Sequence, residues 1–290
     1  MPSLFFGALF FAKGCAEIPR IQDETDSGDA TMKEFAFSLA GVTIPAKSEY
    51  FCPSPQLLSR FAPDATGGCA LQSPAPVCIT DEEWSYFASI GMDANPVTEF
   101  SLLTAYFSDA LLPFDRAIVH GVAVRYRGRA WLICAGSGTG KSTQLKHLNA
   151  LRPGEFSVIC GDRPVLEFCP ASSRSPSPGG KPSAMTEEYT VVVHPSPWNG
   201  KENWYGAEAA PLAGLILLER GEENRLHSIP EREAAIPMYT CFIHTGISEA
   251  GVRKIAELET KLLRAVPIWR LTTHQVPDST KLLLDAVFQS

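Results

Sequence analysis

The sequence predicts an α/β fold, and three observations carry that prediction. From residue 117 onward, apolar strand-like runs alternate with helical ones. Within that region a glycine-rich stretch, residues 136–140, separates a continuous apolar strand from a helix. Ahead of it, residues 33–90 carry only short apolar runs broken by Pro and Gly, the pattern of a small β-rich region. The chain is therefore expected to divide into an N-terminal extension (1–31), a small β-rich domain closed by a linker helix (32–116), and a larger α/β domain (117–290).

Taken in order, residues 4–12 are apolar but only about half as long as a bilayer span. Lys13 follows this stretch, whereas a secretory signal carries its basic residues first, and the same lysine argues against a lipoprotein cleavage site at Gly14-Cys15. Residues 1–31 are thus expected to be a start-site extension whose polar part, 22–31, leads to the strand-like run opening at Met32. The runs 35–39, 41–44 and 77–79 supply the β-rich region. Residues 95–111 set Phe100, Leu103, Ala105, Tyr106, Ala110 and Leu111 on one helical face, with Pro113 as the stop. In the α/β domain, 118–126 and 130–135 are expected to pair as a hairpin across Arg127-Gly128. The loop 136–140 then leads into a helix over 141–151. Strands follow at 156–160, 164–168, 189–194, 212–218 and 267–271, and helices over 247–265 and 279–288 close the chain. Residues 171–184, rich in Ser, Pro and Gly, are expected to form a mobile surface loop.

Composition narrows the partners. With 45% hydrophobic and 20% charged residues over 290, the chain is a folded one, and no internal repeat appears. Lys plus Arg number 25 against 32 for Asp plus Glu, a formal charge of -7, so no basic surface argues for nucleic acid as a partner. No stretch is suited to a membrane span. The eight cysteines form no C-x-x-C pair and no zinc-spaced cluster, and they are read as reduced thiols of a cytoplasmic protein.

The stretch that carries chemistry is Ala135-Gly136-Ser137-Gly138-Thr139-Gly140-Lys141-Ser142, which fits the P-loop template with Ala in place of the first Gly. A phosphate is held there by successive backbone N–H groups turned inward, which glycines permit, and by the helix N-terminus behind them. Gly136, Ser137, Gly138, Thr139, Gly140, Lys141, Ser142 and Thr143 are accordingly the candidate nucleotide-binding residues. Lys141 is expected to reach the β- and γ-phosphates, and the Ser142 hydroxyl to ligate Mg²⁺. The nucleotide and metal implied are ATP and Mg²⁺, with ATP and GTP not distinguished by the motif.

The hairpin running from His120 through Ile133 straight into this loop is unlike the common βαβ setting of the motif. Together, His120-Gly121-Val122, the hairpin, the P-loop and Cys160-Gly161-Asp162-Arg163 resemble the HPr kinase/phosphorylase family and its shorter serine-kinase-like relatives. The resemblance covers residues 117 to 195 well, the remainder to the C-terminus loosely, and the first hundred residues not at all. It implies a P-loop core shared with the phosphoenolpyruvate carboxykinases. The chain departs from the family twice. Where the family carries an Asp-Asp pair there is Gly161-Asp162, and its Arg-Pro-Gly-Arg stretch is replaced by Ser196-Pro197-Trp198-Asn199-Gly200-Lys201-Glu202-Asn203. The likeness is therefore to the short relatives, and HPr is not the expected acceptor.

Asp162 is expected to be the acid near the Mg²⁺ and the acceptor hydroxyl, its other reading being a turn residue before Arg163-Pro164. The resemblance sets His120 beside that acid; without it, a strand histidine reads as structural. Lys201 and Arg163 are candidates to neutralise phosphate charge, or else solvated loop cations. His194 and Trp198 leave packing and substrate contact both open, and Asp81-Glu82-Glu83 reads as the acidic first turn of a helix. The leading expectation is a kinase moving the γ-phosphoryl of ATP to a hydroxyl, a serine of a peptide or protein or a small molecule. A phosphorylase or NTPase using the same site, and a nucleotide-sensing accessory protein without chemistry, are the alternatives. A homo-oligomer is left open.

Overall fold

The apolar run expected as one strand over 118–126 is broken at His120, and that break organises the fold. A computed structural model describes residues 32–63, 71–72, 75–170, 189–202, 204, 206 and 208–288, so the expectations for 1–31 and 171–184 fall outside the described residues.

The N-terminal region is mixed rather than β-rich. Strands β1 (Lys33–Leu39) and β2 (Val42–Ser48) pair antiparallel, and β3 (Leu71–Gln72) adds parallel to β2. The turn at Ala40-Gly41 has both φ values positive. Period-two alternation buries Phe37, Leu39, Val42 and Ile44. The expected run 77–79 makes only an isolated bridge, Val77 to Ala46. Two helices stand there as well. One is α1 (Pro55–Arg60); the other is α2 (Asp81–Ser89), N-capped by Thr80 in a capping box with Glu83, so the acidic run does open a helix.

Helix α3 (Pro96–Leu111) is N-capped by Asn95 and continues as a 3-10 turn through Pro113 to Asp115, which is left-handed with φ 57°. It is a core element rather than a linker. Its Leu102, Leu103, Phe107 and Leu111 share one apolar cluster with Ile118, Val165, Trp198 and Ile243, so packing runs across the 116/117 boundary. Glu99, 1% exposed, holds this helix to the hairpin side, its carboxylate accepting backbone N–H bonds from Glu49 and Tyr50 at 2.8 Å and from Phe51 at 2.5 Å. An amide cannot accept at both ends, so Glu99→Gln is expected to lose about 3 kcal/mol. A urea midpoint unchanged by the substitution contradicts this.

Beyond α3 the strands are β4 (Arg116–Val119), β5 (Gly121–Tyr126), β6 (Arg129–Cys134), β7 (Phe156–Cys160) and β8 (Val165–Pro170). They continue with β9 (Tyr189–His194), β10 (Ala210–Arg220), β11 (Arg225–Ser228), β12 (Phe242–Ile243) and β13 (Ile268–Thr273). One half of the sheet, β12-β4-β8-β9-β10, is antiparallel throughout. The other, β7-β5-β6-β10-β13-β11, is mixed, with β10 parallel to both β6 and β13. Long β10 begins in the first half and ends in the second. At the β5–β6 hairpin, Arg127 and Gly128 both have positive φ, the two-residue turn expected.

Helices α4 (Lys141–Leu151), α5 (Glu231–Tyr239), α6 (Glu249–Ala265) and α7 (Val276–Ala286) cover these strands. Alternate residues of β6 face opposite cores. Ala130, Leu132 and Cys134 join Leu166, Val193 and the α6 residues Leu258 and Leu262, while Ile133, with Ala135 just past the strand end, joins Leu145 of α4 and Leu283 of α7. A strand buried on both faces reads as the unbroken apolar run seen in the sequence. Among the described residues no helix is long and apolar enough to cross a membrane.

On α6, burial pushes the Glu259 carboxyl up to about 7 against a hydrogen bond from the Tyr239 backbone, and its Oε1 has no partner among the described residues. The folded state thus holds a proton that the unfolded chain releases near 4.5, so stability falls as pH rises from 4.5 to 7. The loss is on the order of 2–3 kcal/mol. Glu259→Gln mimics the protonated form. Relative to the parent, its Tm is expected to be higher at pH 8 than at pH 5, and an equal difference at both contradicts the assignment.

Candidate functional site

β6 ends at Cys134, and the chain turns through the glycine-rich loop into α4, whose N-cap is Gly140. Gly138 (φ 74°) and Gly140 (φ 112°) occupy the left-handed region that side chains disfavour, although a Cβ would meet no atom at either. Gly136 does not need that freedom, since its φ is not positive. Thr139 bridges back to it, Oγ1 donating to the Gly136 carbonyl at 2.8 Å. The helical ladder starts with Gln144 N–H to the Gly140 carbonyl, which leaves the N–H groups of Lys141, Ser142 and Thr143 without intrahelical partners. Arg220, at the end of β10 beside β6, donates to the Gly138 carbonyl at 2.9 Å.

Lys141 is 8% exposed. Its ammonium donates to the carbonyls of Ala135 at 2.9 Å and Gly136 at 3.2 Å, and lies 3.2 Å from His120 Nε2. Without phosphate this cation is not left to solvent, because the loop's own carbonyls hold it.

His120 sits where the chain leaves β4 for β5. Its backbone N–H donates to Cys241, and the next N–H, of Gly121, donates to the carbonyl of Asp162 at 2.8 Å. Residue 121 must be small: a Cβ there would stand 3.0 Å from Cys134 Sγ, the Ile133 carbonyl and the Leu132 side chain. Through this crossing the imidazole reaches Asp162, Nε2 to Oδ1 at 3.3 Å. One nitrogen therefore faces both the Lys141 ammonium and the Asp162 carboxylate, and it can accept from the first or donate to the second but not both. Burial lowers the His120 pKa, opposed by the bond with Asp162, so the ring is neutral at pH 7. Burial alone would raise Asp162, but the His120 bond and the charges of Arg163 and Lys141 outweigh it and hold the carboxylate below its ordinary value. Burial also lowers Lys141, with Asp162 opposing.

The missing acid at 161 has a steric reason. A Cβ on Gly161 would stand 2.3 Å from the carbonyl oxygen of Asn199, because residues 196–200 fold over this turn. Ser196 Oγ donates to the Arg163 carbonyl at 2.6 Å, and Arg163 N–H donates to that of Trp198 at 3.0 Å. Trp198 packs rather than facing solvent, its ring stacked on Phe100 and its Nε1 donating to the Phe100 carbonyl at 2.8 Å. His194 is also committed, 2.8 Å from Glu167, which pairs with Arg116.

Of the two candidate phosphate cations, Arg163 is 4% exposed and is no solvated loop residue. Its guanidinium donates to Ser101 and to Thr104 Oγ1 of α3, and its Nε lies 3.2 Å from Asp162 Oδ2, so it backs the carboxylate. Lys201 is exposed and makes no hydrogen bond or ion pair among the described residues. Ser142 Oγ donates to Glu202 at 3.3 Å, and Lys146 pairs with the other Glu202 oxygen at 3.2 Å. Thr143 is exposed on the first turn of α4.

The loop and the α4 N-terminus offer backbone N–H donors to an anion, Lys141 offers a buried ammonium, and Asp162 a carboxylate held ionised beside a neutral imidazole. No group of three or more His, Cys, Asp and Glu among the described residues could hold a metal unaided. A divalent cation at Ser142 therefore needs ligand phosphates to complete its shell. The described cysteines, residues 52, 78, 134, 160, 169 and 241, are free thiols. No known protein family and no curated protein matches this chain.

Proposed function

We propose that the protein is an ATP- and Mg²⁺-dependent phosphotransferase of the HPr kinase/phosphorylase-like type, passing the γ-phosphoryl group to a hydroxyl-bearing acceptor. The observation that carries this reading is the joint placement of the Lys141 ammonium, 3.2 Å from His120 Nε2, and the Asp162 carboxylate, 3.3 Å from that same nitrogen, at the mouth of a loop turned by Gly138 and Gly140. The N–H groups of residues 141–143 and the loop would receive the β- and γ-phosphates, with Lys141 exchanging the Ala135 and Gly136 carbonyls for phosphate oxygens. Mg²⁺, when bound with the nucleotide at Ser142 and Asp162, would neutralise phosphate charge.

Asp162 would take the acceptor proton as the hydroxyl oxygen bonds to the γ-phosphorus and the bond to the bridging oxygen of ADP breaks. A carboxylate kept ionised by Lys141, Arg163 and His120 is suited to orient that hydroxyl more than to pull strongly on its proton. Catalysis then comes chiefly from positioning and charge neutralisation, as a loose transition state requires. Incubation with γ-labelled ATP and serine-containing peptides, proteins or small alcohols tests this. Label on an acceptor hydroxyl, with ADP formed in step, is the expected result. ADP formation indifferent to every acceptor would favour the NTPase alternative, and nucleotide bound without any turnover the sensing one.

A further inference from the structure

Resting on that reading, we infer that Glu202 supplies the second carboxylate of the cation site, replacing the acid that the chain lacks beside Asp162. Position 161 cannot carry a side chain, because the Asn199 carbonyl occupies the space where its Cβ would stand. The loop that takes this space also carries a carboxylate back to the phosphate end of α4. Gly200, left-handed at φ 77°, would set a Cβ 3.2 Å from that of Asp162, so the chain passes directly over the acid. Two residues on, Glu202 Oε2 accepts from Ser142 Oγ at 3.3 Å.

Ser142 is the hydroxyl that the glycine-rich motif assigns to the metal. Lys146, one helical turn on, holds the other carboxylate oxygen at 3.2 Å and lies over the Trp204 ring at 5.7 Å. The carboxylate is thus fixed on both sides, its side chain only 26% exposed. Hydroxyl, carboxylate and phosphate oxygens are the hard donors that a small divalent cation takes. With Mg²⁺ bound, Glu202 would join Ser142 and Asp162 in holding the cation, directly or through a water, and the second Asp162 oxygen would remain for the acceptor.

The test reads binding rather than turnover. The affinity of a fluorescent ATP analogue is measured in Mg²⁺ and in EDTA for the parent, Glu202→Gln and Glu202→Asp. Mg²⁺ is expected to tighten binding to the parent. In Glu202→Gln this advantage falls by on the order of tenfold or more. The affinity in EDTA holds or improves, since a negative charge has left the phosphates. Glu202→Asp, which retains a carboxylate, recovers most of the advantage, and Mn²⁺ binding to the ADP complex, followed by electron paramagnetic resonance, shows the same order.

Equal loss in both buffers, with the Mg²⁺ advantage intact, would mean that Glu202 only pins the loop, and would overturn the inference while leaving the nucleotide site standing. If the parent binds no nucleotide in either buffer, the phosphotransferase reading fails first and this inference with it.

Discussion

Lys141→Met is expected to weaken ATP binding by about two orders of magnitude, the equivalent of about 3 kcal/mol, with the fold intact. The ammonium is held between the loop carbonyls and His120, where only phosphate oxygens could replace its partners without stranding the charge. Methionine fills a similar volume and removes the charge. Gly136 O keeps its bond from Thr139 Oγ1, so one of the two carbonyls that Lys141 served remains paired. Asp162 keeps His120 and Arg163, and only the Ala135 carbonyl loses its partner, so the stability loss should stay within about 1–3 kcal/mol. Calorimetric titration with ATP and a thermal melt on the same sample separate the two effects. Unaltered affinity in a folded variant would remove Lys141 from the phosphate site.

Asp162→Asn is expected to separate binding from chemistry. If nucleotide affinity rests on Lys141 and backbone N–H groups, as proposed, it should fall only modestly, whereas transfer should drop by the factor that a positioned acid or base supplies, on the order of 10² to 10⁴. The pKa pattern adds a second readout. The Asp162 bond and charge oppose the effect of burial on His120, so their loss should lower the His120 pKa further, visible as a shift of its ring resonances to lower titration pH. Arg163 keeps Ser101 and Thr104, which limits the loss of stability. An unaffected rate would return Asp162 to the role of a turn residue.

The helix at Lys141–Leu151 and the strands at Phe156–Cys160 and Tyr189–His194 match their expected limits, because glycine, proline or polar residues mark their ends. The break at His120 left no such mark: apolar residues continue on both sides, and the change from one half of the sheet to the other appears only in the pairing. Short β11 and β12 are too brief for a period to show. Arg163 looked like a loop cation because Ser101 and Thr104 are about sixty residues away in the chain. Arg220 carries no local signal either, and only the parallel pairing of β10 with β6 brings it to Gly138. Glu202 stood in a recognisable departure, the replaced Arg-Pro-Gly-Arg stretch, yet its reach to Ser142 depends on the loop folding over Gly161.

Calorimetric titration of the intact chain with ATP in Mg²⁺, repeated on Lys141→Met, decides whether the glycine-rich loop is a nucleotide site. One saturable site is expected in the parent, for which inorganic phosphate and ADP compete, and its loss is expected in the variant. No binding in the parent, or equal binding in both proteins, would contradict a nucleotide site built on this loop.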